Sequence, residues 1–326
     1  FNNKLKSIVV TGTNGKSTTC KLIAHLLQKN KFRCSLGGNI GTPILDLKNL
    51  KNSFVIIEAS SFQLSHSKFI CPDYALFLNF SNDHLDWHGS KNKYLNSKLK
   101  IFNLQKKKNF AIINKDLKKE FEKKKFLGKL LLPKIKDYRK IKKNIKNNYL
   151  TSNINEENMS FVYTLSKLLK ISEKSFFKAM KSFQGLSHRF EIFLQRGNTI
   201  FINDSKATNL AALKFALNQT SEPYILILCG DPDKEQYNVC EISGPTKVYI
   251  FGKHTKEISE KVSHPEKILF HNQDLSLVMK SIFKEVYDRQ TTILFSPGHP
   301  SGQDYKNFEE RGAYFDFLVK SFKDKL

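Results

Sequence analysis

The segment Thr11-Gly12-Thr13-Asn14-Gly15-Lys16-Ser17-Thr18 puts two glycines, a lysine and several hydroxyls into one short loop. Glycines let backbone N–H groups turn toward a phosphate, and a helix that follows offers its positive end. Lys16 would neutralise β- and γ-phosphates, and the Ser17 hydroxyl would reach Mg²⁺. The G-x-x-x-x-G-K-[ST] spacing is not met, because position 10 is Val10, so the phosphate reading leans on what flanks the loop. Glu58 is a second candidate. A carboxylate at the end of a buried strand beside a phosphate loop suits a metal ligand, and it equally suits an ordinary strand end facing water. Residues 79–88 hold Asp83, His84, Asp86 and His88. They lack a third fixed ligand for zinc, so magnesium beside nucleotide phosphates fits better, or a plain polar loop. His188-Arg189-Phe190-Glu191, Asn203-Asp204-Ser205-Lys206-Ala207-Thr208-Asn209 and Ser296-Pro297-Gly298-His299-Pro300-Ser301-Gly302 crowd polar groups in the same way. Each alone reads equally as a satisfied turn network. No G-x-S-x-G elbow surrounds Ser301, which argues against a serine nucleophile.

The elements that must carry these residues follow from apolar patterning. Residues 7–10 read as a β-branched strand, and 17–29 carry Leu22, Ile23, Leu26 and Leu27 at helical spacing. Apolar runs at 54–57, 74–78 and 111–113 read as further strands, with helices at 156–169 and 172–183. Continuous apolar strands alternating with helices predict a parallel sheet covered on both faces. The pattern restarts near residue 186. Strands are expected at 190–194, 199–202, 224–228, 247–251, 267–270 and 291–295, with helices at 210–218, 275–287 and 314–323. The expected organisation is α/β: a central parallel-sheet domain with the phosphate loop over 1–186, then a Rossmann-like domain over 187–326.

Length supports two domains, since 326 residues exceed the size at which one core stops growing. The net charge of +24 would suit nucleic acid or an anionic surface. However, nearly all the cations are lysines, scattered among Asn, Ile and Phe, which looks like a compositional bias. Arg forks, the usual readers of bases and phosphates, are scarce, and no nucleic-acid partner is expected. The 17 lysines of residues 100–146 read as a solvated face of short helices and edge strands. No apolar run approaches a membrane span, and residues 1–4 show no signal peptide. Cys20, Cys34, Cys71, Cys229 and Cys240 form no C-x-x-C pair, so neither a disulfide framework nor a zinc site is indicated, and a reducing cytoplasm is expected.

Taken in order, these motifs resemble the Mur ligase family, and within it most the branch that adds D-glutamate. The resemblance runs from the phosphate loop through Gly37-Gly38-Asn39-Ile40-Gly41, Glu58-Ala59-Ser60-Ser61-Phe62-Gln63-Leu64, Asn82-Asp83-His84-Leu85-Asp86 and Lys98-Leu99-Lys100-Ile101. It continues through the two motifs at 188–191 and 203–209 and ends with Lys306-Asn307-Phe308-Glu309-Glu310-Arg311-Gly312. The loop is common to Mur ligases and folylpolyglutamate synthases, whereas the strings at 203–209 and 306–312 are far more specific.

The resemblance implies an ATP-dependent amide ligase that activates UDP-N-acetylmuramoyl-L-alanine as an acyl phosphate and joins it to D-glutamate, in the cytoplasm and as a monomer. By the family pattern, Gly12, Thr13, Asn14, Gly15, Lys16, Ser17 and Thr18 would bind the ATP phosphates. Ser17 and Glu58 would hold one Mg²⁺; His84 and a carbamylated Lys98 would hold a second. Asn39 would meet the muramoyl substrate, Asn158 the base side of the nucleotide, and Arg189 and Asp204 its phosphates and ribose. Lys206, Thr208, Lys234, Ser301 and Phe308 would surround D-glutamate or the reacting groups. Departures fall at Ile154, where the family often has His, and at Gly302, where a bulky apolar residue is usual. The family also carries a preceding domain of about 100 residues that binds the uridine diphosphate, whereas this sequence starts just before the phosphate-loop strand. Either it is a piece of a longer chain, or it lacks that domain and should bind ATP without efficient ligation. Two other readings compete. A folylpolyglutamate synthase-like ligase would respond to L-glutamate and folate. An inactive nucleotide-binding remnant would tolerate Lys16→Ala and associate in a strongly salt-dependent way.

Overall fold

The β-branched run Lys6–Thr11 (β1) buries Ile8, Val9 and Val10 almost completely, which only an interior strand covered on both faces can do. In the computed structural model, which describes residues 5–47, 53–81, 85–152, 155–232, 241–263, 267–271, 274–286 and 290–322, β1 is such a strand. The first sheet also contains β2 (Cys34–Gly38), β3 (Phe54–Glu58), β4 (Tyr74–Phe77), β5 (Phe110–Ile113) and β6 (Lys129–Leu131). Its order is β2-β3-β1-β4-β5-β6, and every pairing is parallel. Alternation along β1 sends Ile8 and Val10 into a core with the helices Lys16–Lys29, Asn155–Leu168 and Glu173–Lys181. Val9 points the other way, to Ile57, Phe77, Leu99 and Phe102. From β1 the chain crosses to the edge strand β2, returns to β3 beside β1, and then passes to the other side through β4, β5 and β6. The loops leaving β1 and β4 therefore diverge and open a crevice at the carboxyl ends of the strands, where α/β sheets bind ligands.

The second sheet contains β7 (Glu191–Arg196), β8 (Thr199–Asn203), β9 (Tyr224–Cys229), β10 (Pro245–Phe251), β11 (Ile268–His271) and β12 (Thr291–Gly298). Its order is β11-β10-β9-β12-β8-β7, parallel except for the antiparallel β7–β8 pair at one edge. The helices Leu210–Gln219 and Thr255–Glu260 cover one face, and Leu275–Glu285 and Phe308–Ser321 the other. By packing, the chain divides into two compact units, Phe1–Gln184 and Gly185–Leu326.

Several elements differ from the sequence expectation. The strand Cys34–Gly38 has two glycines and no β-branched residue, and it forms because β3 pairs with it along its whole length. The last helix begins at Phe308 rather than near 314, held by the Asn307 side chain, which accepts from the Glu310 N–H at 2.8 Å. In the lysine-dense segment, the lysines at 106–108, 115, 118, 119 and 123–125 are exposed around β5 and the short helix Lys118–Lys123. No helix among the described residues is long and apolar enough to cross a membrane.

Candidate functional site

The first unit brings most of its expected site residues to the carboxyl ends of β1, β3 and β4. Gly15 ends the loop in the left-handed region at φ +78°, with helix Lys16–Lys29 starting directly after it. A Cβ there would lie 2.2 Å from Asn158 Oδ1, so only glycine lets helix Asn155–Leu168 approach the loop. Asn158 also accepts from Thr19 Oγ1 at 3.4 Å. From the other side Asn79, just past β4, clamps the loop. Its carbonyl accepts the Thr13 N–H at 3.1 Å, and its Oδ1 accepts the Asn14 N–H at 2.8 Å. Thr13 Oγ1 lies 3.3 Å from the Tyr94 hydroxyl. Lys16 folds back over the loop, donating to the Gly12 and Thr13 carbonyls at 2.9 Å each. Ser17 and Thr18 are buried in the first turn of the helix.

Glu58 ends β3 with its side chain 2 % exposed. Its Oε1 accepts from Asn39 Nδ2 at 3.2 Å, while its Oε2 is buried with no hydrogen-bond partner among the described residues. A buried carboxylate oxygen left unpaired is costly, and a hard cation is the natural partner for it. Lys98 is as buried as Glu58. It donates to the Gly12 carbonyl at 2.8 Å and stands 4.7 Å from the Tyr94 ring centroid. Its place on helix Lys91–Leu99 therefore brings it under the phosphate loop, although some eighty residues separate the two in sequence. His84 lies outside the described residues, as does Lys234.

Sequence reasoning missed Glu157. Its carboxylate accepts from Asn79 Nδ2 at 3.0 Å and from Asn114 Nδ2, so it braces the residue that clamps the phosphate loop. Burial raises its pKa, opposed by the two amides. Nothing in the local sequence marks it, because its partners come from two distant strands.

In the second unit the expected residues gather at the carboxyl ends of β8 and β12. Asp204 follows β8 and is 8 % exposed; its Oδ1 accepts the Phe190 N–H at 2.9 Å and its Oδ2 accepts Ser296 Oγ at 2.8 Å. Burial pushes its carboxyl up to about 7, against these bonds and the nearby Arg189 and Arg311. Arg189 sits in a strained turn between His188 (φ +62°) and Phe190 (φ +46°). That turn is held by Glu191, which accepts the His188 N–H at 2.8 Å, and by the Lys206 N–H on the His188 carbonyl at 2.9 Å. The His188 ring rests on Gly312, where a Cβ would come within 2.4 Å of its Nδ1. Lys206 Nζ stands 3.8 Å from the Phe308 ring centroid. Thr208 and Ser301, both half-buried, belong to turns joined by the Gly298 N–H on the Ala207 carbonyl at 2.9 Å. His299 is buried with its Nδ1 unpaired among the described residues, and burial lowers its pKa to about 4, helped by Lys261 and Arg311 and opposed by Asp231.

A family model, the Mur ligase middle domain, matches residues 10–184. The UDP-N-acetylmuramoylalanine–D-glutamate ligase of Pseudothermotoga lettingae is 31 % identical over 98 % of this chain and 76 % of its own length. The enzyme of that name from Petrotoga mobilis is 32 % identical, covering 98 % and 76 %. Among solved structures, the MurF ligase of Thermotoga maritima in complex with ADP superposes with a TM-score of 0.67 at 17 % identity, covering 98 % of this chain and 81 % of that one. At that identity the likeness speaks for the fold alone.

Proposed function

The chain belongs to the Mur ligase family of ATP-dependent ligases, and from that premise we propose that it joins D-glutamate to UDP-N-acetylmuramoyl-L-alanine. The observation that carries the chemistry is the buried Glu58 oxygen, without a hydrogen-bond partner among the described residues, beside a phosphate loop over which Lys16 holds its ammonium. The choice of amino acid rests on the D-glutamate ligases that resemble the chain over nearly its full length. Under this reading residues 1–186 form the nucleotide domain and residues 187–326 the amino-acid domain, in a cytoplasmic monomer.

The reaction proceeds in two displacements. The alanine carboxylate attacks the γ-phosphorus, a C–O–P bond forms, and ADP departs. The amine of D-glutamate then attacks the activated carbonyl, loses a proton, and phosphate leaves with the bridging oxygen. Backbone N–H groups of Gly12–Thr18 and the ammonium of Lys16 hold the phosphates in line and offset the negative charge of the transition state. Ser17 and Glu58 would hold one Mg²⁺; His84 and a carbamate on Lys98 would hold a second. Those ions would neutralise phosphate charge as it develops. As an ammonium Lys98 serves as a hydrogen-bond donor to Gly12; as a carbamate it would offer the anionic oxygen that magnesium requires. Asn39 would face the muramoyl group. Asn158 would face the base, and Arg189 and Asp204 the phosphates and ribose. Lys206, Thr208, Lys234, Ser301 and Phe308 would surround the amino acid.

The test is phosphate release from ATP by the purified chain, with acceptor and amino acid varied. Release should require both UDP-N-acetylmuramoyl-L-alanine and D-glutamate. Release that instead depends on folate and L-glutamate overturns the reading.

A further inference from the structure

Arg311 is wholly buried, in the first turn of helix Phe308–Ser321. A cation is unfavourable near the positive end of a helix, and a buried one needs compensation. Arg311 nevertheless makes no ion pair with any carboxylate among the described residues. Its donors go instead to two loops. Nε donates to Ser205 Oγ at 3.0 Å and Nη2 to the Ser205 carbonyl at 2.8 Å, while Nη1 donates to the His299 carbonyl at 3.1 Å. Ser205 Oγ in turn donates to the Phe308 carbonyl at 2.9 Å, closing the network onto the start of the same helix. One planar fork therefore ties together the turn that carries Lys206 and Thr208, the turn that carries Ser301, and the helix end that carries Phe308.

We propose that Arg311 is a positioning residue that fixes the separation of these turns and thereby sets the affinity for the amino-acid substrate. This rests on the assignment of the amino-acid site above. A dicarboxylate that contacts both turns can be gripped at each end only if their spacing is fixed, and the planar guanidinium fixes it through donors in set directions. A lysine ammonium keeps the charge but is a point donor that cannot hold two turns in register. Asp204, placed on the nucleotide above, is held by its own partners, the Phe190 N–H and Ser296 Oγ, so nucleotide affinity is separable from the fork.

Arg311→Lys and the milder Ser205→Ala, which removes one acceptor of the fork, test this in the full chain. With ATP and acceptor saturating, Arg311→Lys should raise KM for D-glutamate by about tenfold or more, and Ser205→Ala by about threefold. In both, kcat and the calorimetric Kd for Mg-ADP should stay within about threefold of the unsubstituted chain. An unchanged KM overturns the proposal. So does a parallel loss of KM, kcat, Mg-ADP affinity and melting temperature, which would mark Arg311 as a general structural residue. Absence of any D-glutamate-dependent phosphate release in the unsubstituted chain is a separate result: it removes the substrate assignment before a variant is compared.

Discussion

Asp204 and His299 sit in the same unit, 8 % and 1 % exposed, and their ionisations work against each other. The Asp204 carboxyl titrates at about 7 instead of 3.8, so across that interval the native state holds a proton that the unfolded chain has released. Its contribution is full below pH 3.8 and is lost as pH rises to about 7. At ~1.4 kcal/mol per unit the loss is about 4 kcal/mol. His299 titrates at about 4 instead of 6.5, so its contribution is full above pH 6.5 and is lost as pH falls to about 4. That loss is about 3 kcal/mol. Between pH 4 and 6.5 the two slopes largely cancel. Asp204→Asn keeps an acceptor for the Phe190 N–H and removes one slope, so the second unit should become acid-labile, losing about 3 kcal/mol over that interval relative to its own value at neutral pH. His299→Asn should do the reverse and make it more stable in acid than at neutrality. Urea titrations at several pH values, followed by pulsed hydrogen exchange on peptides from β8, β9 and β12, read this unit apart from the first. Identical pH slopes in the unsubstituted chain and both variants would refute the argument.

Three further substitutions address the first unit. Lys16→Ala should lower ATP turnover by about a hundredfold or more, measured as phosphate release, and unchanged turnover would remove Lys16 from the catalytic phosphate site. Glu58→Gln leaves an oxygen for Asn39 but places an amide near the unpaired Oε2 position. The Mg²⁺ concentration for half-maximal turnover should rise about tenfold while thermal stability in the absence of magnesium holds or improves, and an unaltered magnesium titration would count against Glu58 as a ligand. Gly15→Ala should destabilise the first unit by about 1–3 kcal/mol, because it forces a left-handed Cβ against Asn158, and hydrogen exchange in β1 and β3 would report it.

The strongly periodic elements were legible in the sequence. The strand and helix flanking the phosphate loop, and the β-branched strands 224–228 and 291–295, formed where their patterns place them. What stayed hidden depends on partners distant in the chain. Cys34–Gly38 is a strand only because β3 lies beside it. Glu157 becomes part of the phosphate-loop support only when β4 and β5 bring Asn79 and Asn114 to it. The start of the last helix was obscured by Gly312, a poor helix former, even though Asn307 with Glu310 three residues later is a readable cap. The loop motif was visible as a sequence, but that Glu58 keeps one oxygen buried and unpaired is a property of geometry alone.

The strand order also has a consequence for how this chain emerges from the ribosome. β1 is synthesised before any other strand of its sheet, yet it lies in the interior of that sheet, where Val9 sits beside Ile57 on one side and Ala75 on the other. Its apolar run therefore waits, unpaired, until β3 and β4 have been translated, and that interval is when a holding chaperone would matter most. Every strand from β7 to β12 pairs only with others of the second sheet. The first sheet can thus close while the second is still being made, so a pause in translation near residue 184 would let the phosphate loop form early.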